Sequence, residues 1–297
     1  MNARRPLLRP GLAALALLVV AGTGGRAQTP AAHLRVGFAS NLFSDVSEND
    51  ARAAIRIWGH LIARVQEVPT DPEATIYRDT SDMLHALKDE AVDAVGLSTL
   101  DYARVSREVR FEPIFLIYNH GRHTERFLLL ASRGGAIRGL EDLRGRHLQV
   151  HVSSKTALAM PWLDTRLAEE GLPRGTNLAG RVSFESRLSR VVLPVFFGQV
   201  DACVVARGGF ETLAELNPQL SRELVVLAES EDLVPAVFAV REGYVAGRRE
   251  QFVRDVESLG ATPAGRQVLT VFQSDDIREH PASVLETTLA LVARHEA

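Results

Sequence analysis

The stretch Asp89-Glu90-Ala91-Val92-Asp93-Ala94-Val95 is echoed 108 residues later by Phe197-Gly198-Gln199-Val200-Asp201-Ala202-Cys203. Each copy closes a helical pattern and opens an apolar run of strand length. Ahead of the first copy, Leu34–Ala39 reads as a buried strand. Ser47–Gln66 then carries Ala54, Ile55, Trp58, Leu61, Ile62 and Val65 at helical spacing behind a Ser47 or Asn49 cap. A strand at Ala74–Tyr77 and a helix over Ser81–Lys88 lead into the echo. Ahead of the second copy the succession repeats: strand His147–His151, helix Thr156–Glu169, strand Arg181–Glu185, helix Leu188–Phe197. The pattern predicts an α/β protein of two doubly wound lobes with a cleft between them, each built on a parallel sheet with helices on both faces. Between the two sets, strands near Glu112–Ile117 and Arg126–Ala131 flank a polar, hinge-like stretch, Asn119–Glu125. Leu224–Ala228 and Val237–Val240 read as further strands, and the chain from Arg248 onward as mostly helical.

Composition narrows the class. One cysteine in 297 residues excludes an internal disulfide framework and any Cys-clustered zinc or iron–sulfur site. Charged residues at 24%, with 22 Gly and 13 Pro, mark an ordinary globular chain. A formal charge of −3 leaves no electrostatic footprint for nucleic acid.

Residues 1–27 read as an address. Arg4, Arg5 and Arg9 precede an apolar run from Leu12 to Ala21, too short to span a bilayer, and Gly25-Arg26-Ala27 offers a small-residue cleavage site. A cleaved signal peptide and a periplasmic protein are expected. A lipoprotein is not, because the only cysteine is Cys203. Removal takes four arginines, leaving 30 basic against 37 acidic residues and a charge of −7.

In doubly wound sheets the ligand sits beyond the carboxyl ends of the strands. By that rule Asp93 and Asp201, at strand beginnings, are structural. The strand ends offer Ser40 and Asn41; Ser98 and Thr99, with Tyr102 one turn on; Ser153, Ser154, Lys155 and Thr156; Ser186 and Arg187; and Ala206 and Arg207. The run Ser153–Thr156 stands at the expected start of a helix, where backbone N–H groups and the helix dipole favour an anion. Lys155, one of two lysines, would add a full charge. In the competing reading Ser154 caps the helix and Lys155 points to water. Arg207 precedes Gly208-Gly209, where backbone can approach a ligand. His120-Gly121-Arg122-His123-Thr124-Glu125 offers two imidazoles and a carboxylate, but no further His/Cys pair completes a tetrahedral set, so no metal or other cofactor is expected. Gly-x-Ser-x-Gly, Gly-Lys-Ser/Thr and His-Glu-x-x-His motifs are missing, and no catalytic residue is assigned.

From Val36-Gly37-Phe38, through Trp58, Val92-Asp93-Ala94, Tyr102 and Gly139-Leu140-Glu141-Asp142-Leu143-Arg144-Gly145, to Gly198-Gln199-Val200-Asp201-Ala202, the chain resembles the phosphate/phosphite/phosphonate-type periplasmic solute-binding proteins of ABC transporters. The resemblance covers roughly residues 34–275. It implies the type 2 periplasmic binding protein fold: two lobes on a two-stranded hinge that close on a small oxyanion and present it to a membrane permease. It further implies a discontinuous first lobe, 33–120 plus 230–297, a second lobe at 121–229, and C-terminal helices returning to the first. A monomer is expected.

The family's binding residues carry over unevenly. Its tyrosine matches Tyr102. Its Ser-Thr-Ser run matches only Thr156 without gaps, or Ser153 and Ser154 with a shift. Its Ser-His pair falls near Arg187-Leu188, and its acidic residue falls on Ala206 beside Arg207. Loss of a histidine and a carboxylate beside added cations suggests a more fully ionised or larger anion, or a carboxylate, or loss of the ancestral ligand. A ligand-sensing partner of a membrane receptor, or a small-molecule lyase on the same fold, are the alternative readings. Distant surface acids are screened over about 8 Å at physiological salt. Anion binding therefore turns on whether Lys155, Arg187 and Arg207 converge.

Overall fold

A computed structural model describes residues 34–44, 47, 49–53, 55, 56 and 74–297. The expected leader 1–27 and the positions Ala54, Trp58, Leu61, Ile62 and Val65 lie outside the described residues; 49–53, 55 and 56 are helical.

Among the described residues eleven strands form two mixed sheets. The first contains β1 (Val36–Ala39), β2 (Ala74–Tyr77), β3 (Ala94–Ser98), β4 (Phe111–Tyr118), β10 (Ala236–Arg241) and β11 (Asp276–His280), in the order β11-β4-β10-β3-β1-β2. The second contains β5 (Phe127–Ser132), β6 (His147–His151), β7 (Arg181–Glu185), β8 (Ala202–Ala206) and β9 (Leu224–Glu229), in the order β7-β6-β8-β5-β9. Three strands are mutually parallel in each, β2-β1-β3 and β7-β6-β8. The expectation of parallel sheets is therefore corrected beyond those triplets. β10 runs antiparallel to β3 and β4, and β5 antiparallel to β8 and β9. The cause is connectivity. β5 enters its sheet directly from the first lobe and β10 re-enters the first from the second, so neither arrives through the helical crossover that makes a strand parallel.

Alternation along the strands explains the winding. In the first sheet Val36, Phe38, Phe115, Phe238 and Val240 face one buried cluster, and Val95, Leu97, Ile114, Leu116, Val237 and Ala239 face another. In the second, Phe127, Leu129, Leu148 and Val204 face one side and Leu128, Leu130, Cys203 and Val205 the other. Strands buried on both faces must be apolar at every position, which is why they read as continuous hydrophobic runs. Burial pushes the Cys203 thiol above its ordinary value and leaves it inert. β11 is a strand where helix was expected. Its sequence Asp-Ile-Arg-Glu-His has one apolar residue, Ile277, because it is an edge strand paired only with β4.

The lobes are joined at 119–126 and 230–235. Asn119 and Arg122 exchange backbone hydrogen bonds of 2.9 and 3.1 Å across a turn in which His120 and Gly121 both have positive φ. Glu125 and Leu233 do the same between the two crossings, at 2.7 and 2.9 Å. The C-terminal helix Glu286–Glu296 packs on both lobes: Leu291 and Val292 join a cluster with Trp162, Leu163 and Ala103. Glu296 pairs with Arg104 at 3.5 Å and also with Arg107 of the first lobe, and the His295 carbonyl accepts from Arg174 of the second at 2.8 Å.

Candidate functional site

A cavity of about 670 Å³ opens between the lobes at the hinge. The hinge contributes Tyr118, Asn119, His120, Arg122, His123 and Glu125. The second lobe adds His151, Ser153, Lys155, Ser186 and Arg187 from its strand ends, with Gly208 and Gly209 at the start of the helix Arg207–Leu216. From the first lobe come Gln273 and Ser274. Among the described lining residues, Arg122, Lys155 and Arg187 are permanent cations, Arg122 also lying 4.0 Å from Glu211, and Glu125 is the carboxylate.

That carboxylate is already engaged. Glu125 Oε1 accepts from the backbone N–H groups of Arg126 at 3.1 Å and Gly208 at 3.3 Å, and so lies at a helix N-terminus where negative charge is favoured. A Cβ on Gly208 would lie 3.5 Å from Arg122 Nη2 and 3.7 Å from the Glu125 carboxylate, so glycine keeps that corner open to the cleft. Lys155 Nζ reaches across the cleft to the Gln273 carbonyl at 3.3 Å, and Asn119 Nδ2 donates to the same oxygen at 2.8 Å. Gln273 presents that carbonyl from a left-handed conformation, φ +49°.

Behind the cations sits a ring cluster. Tyr118 Oη meets His280 Nε2 at 2.7 Å, and the His123 ring lies 4.9 Å from Tyr118 and 5.1 Å from His280. Burial, and then the neighbouring His280, hold the His123 pKa below its ordinary value. Among the described residues no group of three or more His, Cys, Asp and Glu side chains is arranged to hold a metal ion.

Ser153, Lys155 and Arg187 of the expected binding set share this cavity, as do the strand-end residues Ser186 and Ala206; Ser40, Asn41, Ser98, Tyr102, Ser154, Thr156 and Arg207 do not, and each has another position. Ser40 and Asn41 line a separate cavity of about 110 Å³ around the buried Asp101. Asp101 accepts from Asn41 Nδ2 at 2.8 Å, Thr80 Oγ1 at 2.8 Å and Ser98 Oγ at 2.6 Å. Ser98 is also the N-cap of the helix Thr99–Val105, accepting from Asp101 N–H at 3.1 Å. Tyr102 is buried against Phe111, ring centroids 5.7 Å apart, and burial raises its pKa. Ser154 lines a neighbouring apolar cavity instead.

The expected helix start at Thr156 is also corrected. The helix begins at Ala159, and Ser153–Thr156 folds as a turn closed on itself. Thr156 Oγ1 accepts from Ser153 N–H at 2.7 Å, and Thr156 N–H donates to the Ser153 carbonyl at 3.1 Å. Local hydroxyl bonds of this kind compete with helix extension. Arg207 turns away from the cleft to Glu211, 2.7 Å, and Glu229, 2.6 Å, which raise its pKa in that order. Of the three cations expected to converge, Lys155 and Arg187 line the cavity, Arg207 does not, and Arg122 lines it as well. Arg122 was visible in the sequence as part of the hinge-like Asn119–Glu125 run, where two histidines and an arginine crowd six residues. Gln273 had no such signal, since only the return of the C-terminal segment brings it to the cleft.

Two mixed α/β sheets in the strand orders above, joined by two crossings beneath a cavity lined from both lobes, define a two-lobed type 2 binding protein. Residues 43–283 match the family described as "ABC transporter, phosphonate, periplasmic substrate-binding protein", and the chain belongs to it. No curated protein sequence matches.

Among solved structures, XAC2383 of Xanthomonas citri bound to chloride ion is similar at TM-score 0.63 and 17% identity, over 89% of this chain and 98% of that one. The same protein is also known bound to ATP. PhnD1 of Prochlorococcus marinus in complex with methylphosphonate is similar at TM-score 0.61 and 11% identity, over 90% and 99%. A binding protein component of an ABC phosphonate transporter from Pseudomonas aeruginosa gives 0.59 and 15%, over 89% and 87%. At these identities the likeness is one of fold. Membership of the family implies a ligand and a membrane permease as partners. Among the described residues no helix is long and apolar enough to cross a membrane.

Proposed function

We propose that this chain captures a small anion between its lobes and delivers it to the permease of an ABC importer. Arg187 carries this reading. It lines the cleft, and its guanidinium makes no ion pair among the described residues. By contrast Arg207 and Arg126 are each held by carboxylates. A cation left for a ligand, in a cleft whose one carboxylate among the described lining residues is tied to a helix start, favours an oxyanion, despite the chain's net negative charge. The binding set proposed is Arg122, Lys155 and Arg187, with Ser153 as a hydroxyl donor. Methylphosphonate, which PhnD1 binds, and phosphate are the first candidates.

Closure about Asn119–Glu125 and Leu233 would bury the anion and shift an open–closed equilibrium that the permease reads. The lobes are proposed to comprise 33–120 plus 230–297 and 121–229, with 1–27 removed on export, and the mature protein to be a free, non-lipidated periplasmic monomer. A binder is favoured over an enzyme because Glu125, the carboxylate among the described lining residues, is committed to backbone donors, and Tyr118 to His280. Titration calorimetry with methylphosphonate and phosphate tests the proposal. Saturable binding weakened about tenfold to hundredfold in Arg187→Ala is expected from loss of a charge-assisted hydrogen bond. Binding to neither anion, or equal affinity in the variant, overturns it.

A further inference from the structure

A second cavity, of about 60 Å³, adjoins the cation-lined cleft and shares Ile117, Lys155 and Pro235 with it. Its walls are apolar: Phe38, Leu42, Phe238, Val268, Leu269 and Phe272. Among the described lining side chains only Ser154 and Lys155 are polar, and both come from the second lobe across the cleft.

The walls are fixed by ring packing. Phe38 stacks on Phe238 at 6.4 Å and on Phe272 at 5.6 Å, and Phe43 braces Phe272 at 5.6 Å. Gly96 makes this possible: a Cβ there would fall 2.5 Å from the Phe38 ring. Such a chamber is large enough for water but gives it almost no hydrogen-bond partners, so an apolar occupant is favoured. Lys155 stands at the junction. Its ammonium contacts the carbonyl of Gln273, the residue after Phe272 in the cavity wall. An anion seated on the cleft's cations would therefore have a dry recess within reach of its substituent, and the Ser154–Lys155 turn would cover that recess.

We infer that the ligand is an organic anion carrying a compact apolar arm, its head among Arg122, Lys155 and Arg187 and its arm in the Phe38–Leu42–Phe272 recess. This rests on the anion-capture reading above and adds a preference that the cations alone cannot produce. The test is calorimetry on the purified protein with phosphate, then methyl-, ethyl- and propylphosphonate, and the matching alkanoates as a second head group. For the head group that binds, affinity should rise about fourfold per added methylene, the increment for burying a CH₂. Leu42→Trp, which fills the recess, should abolish the rise in affinity along the series.

If phosphate and propylphosphonate bind equally, the apolar recess is not a ligand subsite and the inference falls while anion capture stands. If no anion of either series binds, the reading beneath it falls as well. The native-protein series decides between these outcomes even if the tryptophan variant does not fold.

Discussion

At their amino edges the two lobes are tied in the same way. In the first, the Asp93 carboxylate accepts from the backbone N–H of Arg35 at 3.1 Å, and Asp93 N–H donates to the Arg35 carbonyl at 2.8 Å. In the second, Asp201 accepts from His147 N–H at 2.8 Å and donates to the His147 carbonyl at 3.2 Å. The settings differ. Asp93 is 1% exposed and holds the Arg35 guanidinium through two further bonds, with Arg241 at 3.4 Å. Asp201 is 37% exposed, with Arg146 at 3.7 Å.

The carboxyl edges diverge further. The first lobe's strand ends are closed by the Asp101 network, whereas the second lobe's open into the cleft through Ser153, Lys155 and Arg187. One lobe is built as an anchor, and the other carries most of the charge that would meet a ligand.

The largest expected effect breaks the symmetry at the amino edges. Asp93→Ala should cost about 3–5 kcal/mol, because it removes the buried partner of two arginines and a strand-edge N–H. Asp201→Ala should cost about 1 kcal/mol, the worth of one partly exposed hydrogen bond. Urea unfolding measures both, and equal losses would show that burial does not separate the two ties.

Next comes the carboxyl edge. Arg207→Ala should leave anion affinity within about twofold, against the tenfold or greater loss for Arg187→Ala. A larger loss at Arg207 would return it to the site.

Ser98→Ala should lower stability by about 1 kcal/mol through loss of a helix cap and leave affinity unchanged, since its hydroxyl serves Asp101 rather than the cleft. Denaturation and calorimetry on the same preparation separate the two readouts.

The smallest effect is in pH. His123 and His147 both titrate below the ordinary 6.5 in the folded protein, chiefly because burial disfavours the imidazolium. The unfolded chain takes up these protons first. The stabilisation is therefore complete above pH 6.5 and is lost as pH falls from there through the depressed folded values. The melting temperature should decline over that window, and the double variant His123→Gln/His147→Gln should flatten the decline.

The lobes were legible in the sequence because both faces of each sheet are buried, which writes every core strand as an apolar run. Asp93 and Asp201 were legible as structural for the same reason: a strand's beginning points away from the ligand side. β11 was not, since an edge strand needs only Ile277 to face the core. The site was half legible. Position along a strand locates its end but not where a side chain turns, so Arg187 and Arg207 looked equivalent until Glu211 and Glu229 were seen to hold the latter. Tyr102 matched a family position yet points into the core beside Phe111. Arg122 and Gln273 reach the cleft through a turn and a returning segment, and their placement depends on contacts distant in sequence.

The C-terminal helix bears on how the cleft can move. Two neighbouring strands make a ribbon, and a ribbon yields to torsion as readily as to bending. The helix Glu286–Glu296 provides a third point of support, seated on the first lobe through Arg104 and Arg107 and on the second through Trp162 and Arg174. With a third support, twisting would require sliding at the helix while bending would require a small roll there. The eleven residues of this helix, none of which lines the cleft, would thus select a single axis from the motions the ribbon allows.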